Sequence, residues 1–130
     1  QDDGIRKIWV IADGVKVSRL PQVEVITLPA MDGRIDPLQI LQILSAEGLR
    51  RVLVEGGAET VSRFMGARCL DRLHLIVAPI VMGSGRPSFN LPPIEHMDQA
   101  QRLDVQTHLI GNEIVFDCDL PQQRGTITSA

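Results

Sequence analysis

The chain has 130 residues, with 13 lysines and arginines against 16 aspartates and glutamates and a formal net charge of −3 at pH 7. That length fits one domain with one core, and the lack of a clustered basic face argues against a nucleic-acid-binding protein. The apolar runs are far shorter than the roughly 20 residues of a membrane span, and the N-terminus does not resemble a signal peptide. We therefore expect a cytoplasmic protein with no nucleic-acid partner and no membrane partner.

The cysteines and histidines show no spacing typical of a disulfide framework or a metal site. Cys69 and Cys118 lie far apart without a CxxC pattern, and we expect both to be reduced side chains in the core. The histidines share no ligand spacing, and two of them alternate with apolar residues as solvent-facing strand positions do, namely His74 and His108. The sequence predicts no metal site.

Two short apolar runs near the N-terminus predict strands. Residues 8–12 form a continuous apolar run that ends at Asp13 and Gly14, which predicts a strand buried on both faces and closed by a turn. The run Val23–Leu28 predicts a second strand of the same kind.

A helix is predicted next, because Asp36 is a favourable N-cap residue and Pro37 suits the first helical position. Three leucines recur along one face of this helix, at Leu38, Leu41 and Leu44. Gly48 favours the left-handed conformation that ends many helices. The apolar run Val52–Val54 then predicts a third strand over residues 51–54.

The stretch RVLVEGGAETVSRF, residues 51–64, carries the strongest candidate site. Ligands of α/β proteins bind beyond the carboxyl ends of parallel strands. Glycines there remove the Cβ atoms that keep a phosphate from the backbone, and the N–H groups of the next helix point at the anion. A pyrophosphate cradle is therefore predicted at Gly56, Gly57 and Ala58, with the Thr60 hydroxyl as a further donor. The alternative is a glycine turn that only sterics require.

Glu55 is harder to explain by structure alone. A carboxylate at the end of a buried strand is unfavourable unless it is hydrogen-bonded, faces water or meets a ligand. The sequence alone leaves all three interpretations of Glu55 open: a hydrogen-bonded carboxylate, one that faces water, and one that binds a ligand.

The next segment predicts a second helix and a further strand. Gly66 is predicted to end the helix, whose apolar face is formed by Val61, Phe64 and Met65. Residues 72–81 predict a strand that reaches Pro79, and the glycine-rich residues 83–85 break it and begin a long loop.

The last predicted element is a hairpin. Residues 103–109 and 114–118 alternate apolar and polar side chains around Gly111 and Asn112, a pair that suits a type II′ turn. Residues 121–130 are predicted to be a flexible tail. Strands alternating with helices predict an α/β fold, with a mostly parallel sheet flanked by helices and a C-terminal antiparallel hairpin.

From residue 52 onward the string VLVEGGAETVSRFMGARCLDRLHLIVAPIVMGSGRPSF resembles the reductase domain of the bacterial bifunctional riboflavin-biosynthesis deaminase/reductase family, which has a dihydrofolate-reductase-like fold. The resemblance rests on the motif of residues 55–57, on Ala78 with Pro79, and on the loop of residues 83–85. It extends from about residue 8 to residue 119. It implies a partial reductase domain over residues 1–120, because the segments that open the family domain have no counterpart in this sequence.

The resemblance implies NADPH as cofactor and a small-molecule substrate, an aminopyrimidine ribosyl phosphate whose ribosyl group is reduced to a ribityl chain. It places the pyrophosphate of NADPH on Gly56, Gly57, Ala58 and Thr60, and it puts Glu55 on the substrate side of the cleft. Further cofactor contacts are implied at two other places: Ala12 and Asp13 near the adenosine, and Pro79, Gly83 and Gly85 along the cleft wall. No residue is assigned a catalytic role.

Two other functions remain open, namely a noncatalytic nucleotide-binding or self-associating module and a pterin reductase of the dihydrofolate type. The Glu-Gly-Gly motif favours the riboflavin-type branch over the pterin branch. In the family fold the absent first strand lies next to the strand ending at Glu55, and its loss leaves strand edges that pair with other chains. We therefore expect a homodimer, or completion by a missing N-terminal segment, and no activity from the isolated chain as a monomer.

Overall fold

The computed structural model describes residues 4–120. Contacts divide this part of the chain into two compact units, with the boundary between Leu53 and Val54, and the two units are taken in turn. No helix within the described range is long and apolar enough to cross a membrane. The predicted flexible tail, residues 121–130, lies outside the described residues.

The first unit opens with a parallel pair of strands. Strand β1, Lys7–Ala12, pairs with β2, Val23–Leu28, in a register that sets Trp9 opposite Val25. Both strands form where they are predicted, but the prediction that they are buried on both faces is wrong, since Trp9 is 41% exposed. The physical reason is that the described residues of the first unit include a single helix, Pro37–Ala46, whereas burial of both faces of a parallel sheet requires helices on both.

A small hairpin that the sequence analysis does not predict follows β2. Strands β3, Ala30–Met31, and β4, Arg34–Ile35, pair antiparallel around Asp32 and Gly33. Both turn residues have positive φ angles, 51° and 71°, as a type I′ turn requires.

Helix α1, Pro37–Ala46, confirms the predicted capping. The Asp36 carboxylate accepts a hydrogen bond from the Leu38 N–H at 3.0 Å. At the other end Gly48 has a φ of +84°, and the Leu49 N–H donates to the Leu44 carbonyl oxygen at 2.9 Å. This closing bond is the signature of a Schellman motif, for which a left-handed glycine is best suited.

An ion cluster around Arg6 joins β2 to the end of α1. The Arg6 guanidinium donates from Nε and Nη2 to the two carboxylate oxygens of Glu24, each at 2.8 Å, and Nη2 also contacts the carboxylate of Glu47. The hydrogen bonds from Arg6 hold the pKa of Glu24 below its usual range, with partial desolvation acting in the opposite direction.

We expect this cluster to make the stability of the folded state depend on pH in the acid range. A carboxylate whose pKa is lowered by folding stabilises the folded state above its unfolded-state pKa, and that contribution is lost as the pH falls through the folded-state value. The melting temperatures of the wild type and Glu24→Gln should therefore differ at neutral pH and converge below the usual glutamate range. Thermal unfolding across that range measures the gap, and a gap that stays constant would refute the assignment. The gap should also shrink in high salt, because these side chains are largely exposed.

The second unit contains helix α2, Ala58–Gly66, a short 3₁₀ helix, Met97–Gln99, and a three-stranded antiparallel sheet. Its strands are β5, Arg72–Val77, β6, Asp104–Ile110, and β7, Glu113–Asp119, in the order β5–β7–β6. The expectation of a mostly parallel sheet is thus met only by the β1–β2 pair within the described residues.

The predicted strand over residues 51–54 does not form. A strand exists only where a partner accepts and donates its ladder hydrogen bonds, and none of the strands in the described range pairs with this segment. Side-chain exposure also disagrees with a buried strand here, because Leu53 is 78% exposed. The predicted strand over residues 72–81 is also too long: it ends at Val77, just before Pro79, which has no N–H to donate.

The core of the second unit lies between α2 and one face of its sheet. Met65, Leu73, Cys118 and Leu120 form the buried cluster, and partly buried apolar side chains pack around it: Val61, Leu70, Leu75, Phe89, Leu103 and Phe116. The predicted apolar face of α2 is confirmed. Cys118 is a core side chain as predicted, and neither cysteine forms a disulfide bond.

The turn after α2 differs from its prediction in one respect, whereas the turn that joins β6 to β7 agrees with its prediction. Gly66 is the last helical residue, but the left-handed residue is Arg68, with a φ of 55°. The Cys69 N–H donates to the Phe64 carbonyl oxygen at 3.0 Å, so the Schellman motif forms around an arginine. In the hairpin, Gly111 has a φ of +60° and Asn112 does not have a positive φ, which confirms the predicted type II′ turn.

Candidate functional site

The turn that leads into α2 requires a glycine at position 56. Gly56 has a φ of +154°, and a Cβ built on it would lie 3.2 Å from the Thr60 Cβ and 3.3 Å from the Thr60 Oγ1. The backbone angle is one that side-chain-bearing residues rarely adopt, and the space is filled by Thr60. The fold alone therefore explains Gly56.

The fold does not explain Gly57. This residue is the N-cap of α2, with φ −73° and ψ 173°, an extended conformation open to any residue. A Cβ built on Gly57 would meet nothing within 4 Å. Serine, aspartate or asparagine would each cap the helix with a side-chain hydrogen bond, whereas Gly57 makes none. A glycine here keeps the space in front of the helix clear.

The first turn of α2 supplies backbone donors to that space. The first helical hydrogen bond runs from the Val61 N–H to the Gly57 carbonyl oxygen at 3.3 Å. The amides of Ala58 and Thr60 therefore lie ahead of the first hydrogen bond of the helix. The helix dipole adds partial positive charge at this end. Ala58 is half-buried, and Thr60 is exposed with its hydroxyl beside Gly56. These features fit a phosphate or pyrophosphate group.

Glu55 lies at the surface immediately before the glycine pair. Since residues 51–54 do not form a buried strand, the argument that Glu55 ends one is wrong, and its carboxylate is in contact with water. The electrostatic penalty expected for a buried carboxylate is therefore absent. Glu55 remains next to the candidate cradle as an exposed acid.

Pro79, Gly83 and Gly85 lie on an exposed segment without regular structure. The Ile80 N–H donates to the Ala78 carbonyl oxygen at 2.8 Å, which makes Pro79 the centre of a three-residue turn whose φ the proline ring favours. A Cβ on Gly83 would meet nothing within 4 Å, while one on Gly85 would lie 3.2 Å from the Met82 Cε.

Ser62 was missed by the sequence analysis. It is buried in α2, and its hydroxyl accepts a hydrogen bond from the Asn90 N–H at 2.7 Å. Phe89, next to Asn90, packs against the core cluster. These contacts fix the loop that follows residues 83–85 against the helix that carries the candidate cradle. A serine in mid-helix gives no sequence signal of such a tie, because its partner is a backbone group 28 residues away.

Ala12 and Asp13 belong to the first unit, at the carboxyl end of β1. The Asp13 N–H donates to the Leu28 carbonyl oxygen at 2.9 Å, and the Val15 N–H closes a turn on the Ala12 carbonyl oxygen at 3.2 Å. Gly14 holds that turn with a φ of +82°. The two residues thus lie at the edge of a parallel pair where α/β proteins bind ligands.

The face of the second sheet opposite the core is polar at the end that carries Asp104 and Asp119, and sequence analysis recognised only the histidines of this face. Asp117 Oδ1 is buried there, 2.8 Å from Arg72 Nε and 3.2 Å from His74 Nε2, without hydrogen-bond geometry to either. Asp104 and Asp119 are cross-strand neighbours on this face and line a recess of about 360 Å³ with Arg72 and Asp117. On the core side, burial raises the pKa of the Cys118 thiol, and the Asp117 charge raises it further, so the thiol stays protonated at neutral pH.

Solved structures share this fold. The chain superposes on riboflavin biosynthesis reductase Rib7 of Saccharomyces cerevisiae with a TM-score of 0.68 and 19% identity, over 87% of this chain and 55% of that one. It superposes on RibD of Acinetobacter baumannii with a TM-score of 0.66 and 23% identity, over 88% of this chain and 37% of that one. At these identities the likeness shows the fold.

Sequence comparison shows the family. The riboflavin biosynthesis protein RibD of Bacillus amyloliquefaciens is 34% identical over 85 residues, which cover 62% of this chain and 23% of that protein. Its counterpart from Actinobacillus pleuropneumoniae is 29% identical over 98 residues, 73% of this chain and 26% of that protein. The chain thus spans about a quarter of the length of the curated relatives it matches. A family model described as RibD C-terminal domain matches residues 2–116, and the chain therefore belongs to the RibD C-terminal domain family.

Proposed function

We propose that the chain is part of an NADPH-dependent reductase of riboflavin biosynthesis, which reduces the ribosyl group of an aminopyrimidine ribosyl phosphate to a ribityl chain. Family membership supports the reaction class. The observation that supports NADPH as the cofactor is a difference between the two glycines. The backbone conformation requires a glycine at position 56, whereas nothing in the described structure requires one at position 57. A glycine that only a ligand needs is the expected mark of a backbone-to-phosphate contact.

In this proposal the chain binds and orients the reactants. The amides at the start of α2 bind the pyrophosphate, together with the hydroxyl of Thr60, and Gly57 has no side chain that would block it. Ala12 and Asp13 contact the adenosine. The exposed carboxylate of Glu55 faces the substrate, while Pro79, Gly83 and Gly85 form part of the cleft wall. NADPH supplies the hydride when it is bound, so the protein's part is to hold the reacting carbon in place and keep water out.

A turnover assay tests the proposal and separates it from its alternatives. Oxidation of NADPH is followed after adding an aminopyrimidine ribosyl phosphate, and in parallel with dihydrofolate. Turnover with the first compound alone supports the proposal. Because the chain is not expected to be active as an isolated monomer, the assay uses its dimeric or completed form. Binding of NADPH by that form without turnover of either compound would instead support a noncatalytic nucleotide-binding module, and turnover of dihydrofolate alone would support a pterin reductase.

A variant at Glu55 gives this assay an internal control. Glu55→Gln removes the charge with little change in volume, at a residue exposed to water. If Glu55 faces the substrate, kcat/KM for the aminopyrimidine falls at least about tenfold, by more than 1.4 kcal/mol of transition-state stabilisation, whereas the dissociation constant of NADPH is unchanged. An equal loss in NADPH affinity would show that Glu55 acts on the cofactor.

A further inference from the structure

The segment that follows β5 leaves the sheet at the end of the unit where α2 begins. A short connection, residues 67–71, joins the end of α2 to the start of β5. Met65, near the end of the helix, and Leu73, near the start of the strand, belong to the same buried cluster. A helix that packs on a sheet and is joined to the next strand by so short a connection runs antiparallel to that strand. The residues after Val77 therefore emerge at the level of the start of α2.

The same segment then returns along α2, and its contacts fix the direction. The Asn90 N–H donates to the Ser62 hydroxyl oxygen at 2.7 Å, and Phe89 packs against the buried cluster. Leu91 lies further toward the end of the helix, because its Cδ2 is 3.8 Å from the position of a Cβ built on Gly66. The residues that precede Asn90 therefore lie toward the start of α2.

Arg86 belongs to this segment and lies within reach of the candidate cradle. Ala58 is about 6 Å from Ser62 along the helix axis, which is one helical turn. Arg86 precedes Asn90 by four positions, a length of chain that spans at most about 14 Å. The segment is therefore long enough to bring the Arg86 guanidinium in front of the first turn of α2.

The guanidinium of Arg86 is available to a ligand. Arg86 is exposed, and among the residues that the structure describes it forms no ion pair and no side-chain hydrogen bond. The charge around the cradle favours a cation there. The helix dipole supplies only about half an elementary charge, whereas Glu55 precedes the glycine pair and Glu59 lies in the first turn of α2. These two carboxylates oppose the binding of a phosphate unless a nearby cation offsets them.

We propose that Arg86 binds a phosphate group in front of α2 and that Ser62 is the residue that positions its loop for this contact. The identity of the ligand rests on the proposed function: the phosphate belongs to the pyrophosphate of NADPH or to the ribosyl phosphate of the substrate. The planar guanidinium donates two parallel hydrogen bonds to phosphate oxygens. Ser62 is buried and acts only through the amide of Asn90.

Arg86→Gln tests the contact, because an exposed side chain without a partner can be replaced without loss of packing. Calorimetric titration measures the dissociation constant of NADPH, and turnover by the same form of the protein as in the reductase assay measures KM for the aminopyrimidine ribosyl phosphate. One of these two constants should rise at least about tenfold, as expected when a charge-assisted hydrogen bond is lost. The constant that rises identifies which phosphate Arg86 binds.

Two further variants separate a specific contact from a general effect of charge. Arg86→Lys keeps the charge but loses the paired donor geometry, so it should raise the same constant by a smaller factor. Arg102→Gln is the matched control, because Arg102 is an equally exposed arginine of the second unit that precedes β6. It should change neither constant by more than about twofold, since exposed charges at a distance are screened.

Ser62→Ala tests the positioning role. It removes the acceptor of the Asn90 N–H and should raise the same constant as Arg86→Gln does. In the Arg86→Gln background it should add less than about a further twofold, because the contact that Ser62 positions is already lost. A serine that only stabilises the fold would instead have an equal effect on the constant in both backgrounds.

The results distinguish this inference from the proposed function. If Arg86→Gln leaves both constants unchanged in protein that turns over the substrate, the inference is overturned and the reductase function stands. If NADPH binding depends on Arg86 but no substrate is turned over, the inference stands and the reductase function fails. A wild-type protein that neither binds NADPH nor shows turnover would overturn both.

Discussion

Gly57→Asp is expected to weaken NADPH binding at least about 100-fold while leaving the free energy of unfolding unchanged or slightly higher. Aspartate is among the best N-cap residues, and position 57 has an extended backbone with open space for a side chain. The same carboxylate would stand about 4 Å from a phosphate, where like charges repel by roughly 4 kcal/mol at an effective dielectric constant near 20. One substitution should therefore improve the helix and destroy the site.

Calorimetric titration with NADPH and thermal unfolding measure the two halves of this prediction. Gly57→Asn is the matched control, because asparagine caps the helix equally well but carries no charge. It should lose some affinity through the bulk of its side chain, yet retain much more than the aspartate variant. If Gly57→Asp binds NADPH as well as the wild type does, the pyrophosphate does not lie at the start of α2.

Gly56→Ala is expected to lower the free energy of unfolding by about 2–3 kcal/mol, through backbone strain and overpacking together. The φ of +154° disfavours any side chain, and the new methyl group would press against Thr60. Gly57→Ala provides the control one residue away, and because its Cβ meets nothing it should change stability by no more than about 0.5 kcal/mol. Urea unfolding of the two variants gives the comparison.

A double-mutant cycle with Thr60→Ala separates strain from crowding. The alanine removes the Thr60 Oγ1 and Cγ2 but keeps the Cβ, which is the nearest atom to the new methyl group. Most of the penalty of Gly56→Ala should therefore persist in the Thr60→Ala background. A penalty that vanished there would mean that crowding by Thr60, and not the backbone angle, is why glycine is needed.

Local signals in the sequence predicted the elements that are stabilised locally. Helix α1 begins and ends where Asp36, Pro37 and Gly48 direct it, because those residues act through their own backbone and caps. The β6–β7 hairpin likewise follows from Gly111. The Asp32–Gly33 turn carried an equally clear signal, and it was missed because its strands are only two residues long.

Features that depend on distant partners could not be predicted in this way. The residues 51–54 have a strand's composition, but a strand also requires a pairing edge, which composition does not supply. Arg68 takes a left-handed conformation that arginine disfavours, since the surrounding hydrogen bonds of the Schellman motif impose it. In the candidate site the glycine pair was predicted from the sequence, yet only the structure distinguishes Gly56, which the fold requires, from Gly57, which it does not.

The uncapped start of α2 has a consequence for the life of the protein in the cell. A bound phosphate would do for this helix what a serine or aspartate side chain does for others, so the cofactor would complete the folding of its own site. By thermodynamic linkage, NADPH at 100 times its dissociation constant would add about 2.7 kcal/mol to the free energy of unfolding. A protein built this way would resist proteolysis more strongly as the concentration of the dinucleotide rises, because the dinucleotide binds only the folded state.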